Sequence, residues 1–160
     1  MTLSIASPAF TPDDVIPRRH TCDGEDLSPE LHFSGAPAGT RSLALIVEDP
    51  DAPDPAAPKR VYCHWILYDI PPTTPSLPEG VRRAQLPAGT REGANDWGRT
   101  GYGGPCPPIG RHRYYFRLFA VDRMLGDIGT PSKKQLEAAL GAHVLEKAVV
   151  MGTYERAKGR

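Results

Sequence analysis

Residues 113–122 read RYYFRLFAVD, a stretch rich in aromatic side chains that predicts a β-strand. Side chains alternate between the two faces of a strand, so Tyr114 and Phe116 share one face. Tyr115 and Phe119 fall on the other face. Because both faces carry aromatic side chains, we expect both to be at least partly covered.

Two further segments have the same character. Residues 43–48 read LALIVE, a continuous apolar run typical of a buried strand. Residues 61–70 read VYCHWILYDI and are bounded by Pro58 and Pro71, which favours another strand. Shorter strand candidates are residues 3–7, 31–34 and 82–86.

One helical pattern occurs, near the C-terminus. Apolar side chains recur there at spacings of three and four, at Leu136, Ala139, Leu140, Val144, Ala148 and Met151. Either Thr130 caps this helix, or Ser132 and Gln135 form a capping box. Gly141 is a point where the helix can divide, and residues 151–155 can return to a strand. Strands followed by one helical segment predict a mainly antiparallel β fold.

The composition limits the function classes. A chain of 160 residues suits a single domain, residues 1–160, and its zero net charge does not favour nucleic acid as a partner. The sequence contains no apolar run long enough for a transmembrane helix and no signal-peptide pattern at its start. An odd number of cysteines, Cys22, Cys63 and Cys106, favours reduced thiols and a cytoplasmic protein.

Carboxylates and a histidine lie at or near predicted strand ends. Asp49 and Asp51 alternate with prolines directly after residues 43–48, a pattern that taken alone is typical of a plain turn. His64 lies inside residues 61–70, where a histidine is more often a satisfied core residue than a ligand contact. If the two strands are adjacent, Asp49 can face His64 and favour its charged form.

The segment with the most specific pattern is residues 93–108, GANDWGRTGYGGPCPP. Its glycines allow close backbone approach and can expose amide N–H groups to an anion. His112 and Tyr114 follow it two positions apart and therefore share a strand face. A loop of this length within a compact domain is usually functional or disordered, and its prolines and aromatics argue against disorder.

The motifs DPDAP, CHW, GYGGPCPP and HRYYF, in this order, resemble the phosphatidylethanolamine-binding protein family, in particular its bacterial and archaeal Raf-kinase-inhibitor-like branch. The resemblance extends from CDGEDLSP at residues 22–29 to GTYER at residues 152–156. It implies a sandwich of two antiparallel sheets with a pocket for phosphate-like anions. Carried over, the ligand-binding residues are Asp49, Asp51, Ala52, Pro53, His64, Gly104, Pro105, His112 and Tyr114.

The resemblance implies that the protein binds a small anion, such as phosphate or a phospholipid headgroup, and that it can regulate or inhibit a kinase or protease. The alternatives are a hydrolase or lyase that uses His64 and His112 with Asp49, and a metal-binding β protein. We expect no catalytic residue, no cofactor and no bound metal, and a homodimer stays open. Anion binding should tighten as the pH falls from about 7 to about 6, where histidine gains charge.

Overall fold

The computed structural model describes residues 2–157, which form two antiparallel sheets. The larger sheet has five strands in the spatial order β6-β4-β3-β7-β8. Their bounds are β3 Ser42–Ala52, β4 Arg60–Ile70, β6 Arg91–Glu92, β7 His112–Val121 and β8 Val144–Tyr154. The smaller sheet has the order β1-β2-β5, with β1 Ser4–Ala6, β2 Leu31–Ser34 and β5 Ser76–Leu77. The mainly β fold of two antiparallel sheets expected from the sequence is therefore confirmed.

The main core lies between the two sheets. Phe33 and Leu77 of the smaller sheet are buried with Leu45, Leu67 and Phe116 of the larger one. The alternation predicted for residues 113–122 is present, because Tyr114 and Phe116 face this core and Phe119 does not. Burial of such side chains stabilises the fold by about 1.5–3 kcal/mol each.

The outer face of the larger sheet is covered in part by helix α1, Lys133–Leu140. Leu136 and Leu140 pack there against a second buried cluster that contains Ile46, Ile66 and Phe119. Ser132 and Gln135 form a capping box at the start of the helix, which confirms one of the two predicted helix starts. None of the helices within residues 2–157 is long and apolar enough to cross a bilayer.

The predicted helix is wrong beyond Leu140. Gly141 ends α1 with a φ of 44°, and after a short 3-10 turn Val144 and Ala148 belong to strand β8. The strand also contains Met151, where the sequence allowed a return to a strand. This strand is paired with β7 along almost its whole length. Pairing with a neighbouring strand thus outweighs the helical spacing of a few apolar residues.

The strand predicted for residues 82–86 is also wrong. Residues Arg83–Gln85 form a 3-10 turn, and the Gln85 side chain accepts a hydrogen bond from the backbone N–H of Arg82. This local side-chain contact satisfies the backbone in place of a neighbouring strand.

The prediction of reduced thiols is wrong for two of the three cysteines. Cys22 and Cys106 form a disulfide across 84 residues of sequence, with their Cα atoms 5.4 Å apart. Cys63 is free and buried. An odd number of cysteines still permits one pair, and spacing along the chain did not show that two distant loops lie side by side.

Candidate functional site

Three strands meet at one end of the larger sheet, where β3 ends and β4 and β7 begin. Both β4 and β7 run antiparallel to β3, so the last residues of β3 lie beside the first residues of the other two. Asp49 pairs with Tyr62 across this edge. The motifs DPDAP, CHW and HRYYF, which are separate in the sequence, therefore lie together at this end of the sheet.

A cavity of about 260 Å³ lies at this end of the sheet, and we call it the edge pocket. It is lined by Asp49, Ala52, Pro53, Arg60, Tyr62, His64, Trp97, Cys106, Pro107, Pro108, His112 and Tyr114. Six of the nine residues predicted from the sequence are in this lining. The other three, Asp51, Gly104 and Pro105, are not.

A β-bulge brings His64 into the pocket. Glu48 pairs with Cys63 and Val47 with Trp65, so His64 is an extra residue on β4 without a counterpart on β3. Cys63 lies in the outer cluster and Trp65 in the core between the sheets, while His64 faces the pocket. The bulge thus lets two successive side chains, His64 and Trp65, lie on the same side of the sheet.

Asp49 and His112 form a buried pair in the pocket wall. Oδ2 of Asp49 lies 2.6 Å from Nδ1 of His112, and Oδ1 accepts a hydrogen bond from the backbone N–H of Asp51. The other ring nitrogen, Nε2, faces the carbonyl oxygens of Ile109 at 2.9 Å and Pro53 at 3.1 Å. Both nitrogens therefore face acceptors, and only an imidazolium donates in both directions. An Asp49 carboxylate with a His112 imidazolium has no net charge.

His64 is the more isolated histidine. Its Nδ1 lies 2.7 Å from the carbonyl oxygen of Gly103, so Nδ1 carries the proton and donates. Burial lowers the pKa of His64 below its usual value, although the Gly103 carbonyl and Asp49 act in the opposite direction. The neutral ring then leaves Nε2 as a free acceptor, and a second proton would turn that atom into a donor.

Tyr114 lines the pocket, and its hydroxyl is buried. Its side chain is 1% exposed, and its hydroxyl has no hydrogen-bond partner within the described residues. Burial raises the pKa of Tyr114, and the nearby Asp49 carboxylate adds to this effect, so the hydroxyl stays protonated. A buried hydroxyl without a partner costs roughly 1–3 kcal/mol. A ligand oxygen that reaches this hydroxyl would accept a hydrogen bond from it and relieve this cost.

The glycine-rich loop forms one wall of the pocket. The amide of Gly103 donates to the His64 carbonyl and that of Gly104 to Oδ1 of Asp26. A Cβ on Gly103 would collide with the Trp97 ring, and one on Gly104 would collide with Asp26. The two glycines thus allow close packing, and their amides are already engaged instead of forming the free anion site expected from the sequence.

The three predicted residues outside the lining have other contacts. Asp51 forms two hydrogen bonds with the Arg113 guanidinium, at 2.8 and 3.0 Å, which hold its pKa below the usual value. Gly104 is bonded to Asp26, and the Pro105 carbonyl accepts from the amide of Cys22. The Cys22–Cys106 disulfide reinforces this last contact between the loop and the N-terminal segment.

Arg60 and Tyr62 line the pocket but were not singled out from the sequence. The guanidinium carbon of Arg60 lies 5.2 Å from the centre of the Tyr62 ring. Tyr62, Trp97 and His64 contact one another edge to face, with centroid separations of 5.0–5.4 Å. The available signal was their spacing, because Arg60 and Tyr62 precede His64 by four and two positions on one strand.

Comparisons with known proteins agree with this architecture. The sequence profile of the family described as phosphatidylethanolamine-binding protein matches residues 6–155. A "UPF0098 protein" of Methanothermobacter thermautotrophicus is 44% identical over 155 residues, which cover 96% of this chain and 99% of that protein. The chain belongs to the phosphatidylethanolamine-binding protein family. The resemblance noted in the motifs is thereby confirmed.

Two solved structures of this family superpose on the chain. The phosphatidylethanolamine-binding protein homologue CT736 of Chlamydia trachomatis is 38% identical with a TM-score of 0.89, and the match covers 98% of this chain and 99% of that one. YbcL of Escherichia coli, described as a new member of the mammalian family, is 31% identical with a TM-score of 0.88, over 98% and 100% of the two chains. These proteins share the fold over nearly their whole length.

Proposed function

We propose that the edge pocket binds a small anion that carries a phosphoryl or carboxyl group. The observation behind this proposal is the Tyr114 hydroxyl, which is buried, protonated and without a partner among the described residues. A donor in this state requires an acceptor, and an anionic oxygen is the strongest acceptor available.

The charges of the pocket support an anion over a cation. Asp49 is the carboxylate that lines the pocket, and both of its oxygens already accept hydrogen bonds, from His112 and from the Asp51 amide. Arg60 also lines the pocket, and its guanidinium carries a positive charge. A cationic ligand would meet Arg60 without a free carboxylate to pair with.

The volume of the pocket indicates which part of a ligand fits inside it. About 260 Å³ is room for a phosphate group with a small substituent, because one water takes about 30 Å³ in the liquid. A lipid would therefore place its headgroup inside and its acyl chains outside. Regulation of a kinase or protease rests on the family resemblance alone.

Hydrolysis through a thiol nucleophile is not favoured. Cys63 lies in the cluster on the outer face of the sheet, and burial raises its pKa to about 12. Cys106 lines the pocket but is held in the disulfide. Neither sulfur is thus available as a thiolate beside the ligand.

Calorimetric titration tests the proposal. Inorganic phosphate and acetate should bind at about pH 6, whereas a neutral probe of similar size, glycerol, should not. Replacing His64 with alanine should weaken phosphate binding and reduce its proton uptake, measured in buffers of different ionisation enthalpy. His143→Ala is the matched control, because His143 pairs with Asp122 away from the pocket lining. Absence of any anion binding would contradict the proposal.

A further inference from the structure

The charge inventory of the edge pocket is asymmetric. Asp49 and His112 neutralise each other when the ring donates through both nitrogens, as its contacts require. His64 donates through Nδ1 to Gly103 and is neutral until it gains a second proton. Among the described lining residues, Arg60 is then the one side chain with an unbalanced positive charge.

The setting of Arg60 suits a ligand contact. Its backbone is fixed, because Arg60 pairs with Ala52 and the adjacent Lys59 amide donates to the Ala52 carbonyl. Its side chain is exposed, and within residues 2–157 it has no carboxylate partner within 4.0 Å. The guanidinium lies over the face of Tyr62, which is a weak contact at an exposed site. It can leave this ring for a stronger, charge-assisted contact.

Other charges near the pocket disfavour a second negative charge on the ligand. The Asp96 carboxylate accepts a hydrogen bond from the Cys63 amide and that of Asp26 from the Gly104 amide, and neither residue lines the pocket. Arg99 is near the rim, with its guanidinium carbon 5.9 Å from the centre of the Trp97 ring, but it does not line the pocket. A ligand with two charges would be balanced only in part by Arg60.

From this arrangement we infer that Arg60 is the residue of the pocket that binds the anionic group of the ligand. The nearby carboxylates of Asp96 and Asp26 repel a second negative charge, so the pocket favours phosphodiesters or carboxylates over doubly charged phosphomonoesters at neutral pH. The inference rests on the proposed anion-binding function and adds the ligand's charge class. A phosphomonoester reaches a comparable balance only if His64 takes up a proton, so its affinity should rise as the pH falls.

The test compares two probes of similar size, dimethyl phosphate with one charge and methyl phosphate with about two charges at about pH 7.5. Wild-type protein should bind dimethyl phosphate more tightly and without proton uptake. Arg60→Gln should weaken dimethyl phosphate binding by about tenfold or more, the range for a charge-assisted hydrogen bond. Arg60→Lys should retain part of the affinity.

Arg99→Gln is the matched control, since it removes an equal charge near the rim but outside the lining. It should change the affinity for dimethyl phosphate by less than about twofold, as expected for a screened charge. Equal effects of Arg60→Gln and Arg99→Gln, or a wild-type preference for methyl phosphate at about pH 7.5, would overturn this inference and leave the anion site standing. Failure of wild-type protein to bind either probe, or phosphate and acetate, would overturn both.

Discussion

Asp49 at the end of β3 and His112 at the start of β7 meet through a 2.6 Å hydrogen bond although the two residues are only 3% and 0% exposed. Burying one charge alone costs several kcal/mol, so each residue depends on the other. The pair fixes the orientation of the pocket wall, because Nε2 of the same His112 ring contacts the carbonyl oxygens of Pro53 and Ile109.

Asp49→Asn should lower the free energy of unfolding by about 3 kcal/mol, since it leaves a buried imidazole without its carboxylate. Chemical denaturation followed by fluorescence measures the change. Asp54→Asn is the control, because Asp54 accepts only a local hydrogen bond from Ala56 in an exposed setting. Equal stabilities of the two variants would show that the buried pair does not contribute.

Tyr114→Phe should weaken anion binding by about tenfold while leaving the free energy of unfolding unchanged or slightly higher. The Tyr114 hydroxyl has no hydrogen-bond partner within the described residues of the free protein. Its removal therefore breaks no hydrogen bond and takes away a buried unsatisfied donor. Tyr68→Phe is the opposite case, because the Tyr68 hydroxyl donates to the Gly129 carbonyl at 3.0 Å, away from the edge pocket. It should reduce stability by about 1 kcal/mol and preserve binding. Calorimetry and denaturation on both variants check the contrast.

Protein unfolded without reductant should show one free thiol per chain, that of Cys63, and three after reduction. Replacing both Cys22 and Cys106 with serine should lower the free energy of unfolding by about 2–5 kcal/mol, because the crosslink closes a long loop. Thiol titration and denaturation provide the measurements. Three thiols before reduction would contradict the disulfide.

Below about pH 6.5, the free energy of unfolding should decrease as the pH is lowered, partly because of His64. Burial lowers the folded pKa of His64, so the unfolded chain binds this proton at a higher pH than the folded protein does. The stabilising difference is therefore complete above about pH 6.5 and is lost as the pH falls through the folded pKa. As the pH is lowered from about 8 to about 5, the denaturation midpoint should decrease less steeply in His64→Asn than in wild type. Parallel profiles would exclude this contribution.

The strand core could be predicted because its signals are local. The aromatic-rich stretch around Tyr114 and the apolar run that ends at Glu48 each predict a strand without knowledge of its neighbours. The pairing of β4 and β7 with β3 then brings Asp49, His64 and His112 to one end of the sheet.

The remaining features depend on contacts between distant segments. The apolar spacing of Val144, Ala148 and Met151 is typical of a helix, and pairing with β7 overrides it. The Gly104 amide could be expected to bind an anion until Asp26 was found beside it. A partner 78 residues away leaves no trace in the local pattern.

The extra residue in β4 has a consequence for how this site can change. Without His64, Cys63 would still lie on one side of the sheet and Trp65 on the other, as regular alternation requires. The imidazole therefore stands outside the alternation of its neighbours on the strand, and His64 is not part of the core cluster between the sheets. Substitution at this one position can alter what the pocket accepts while the order of inward and outward side chains along the strand is retained.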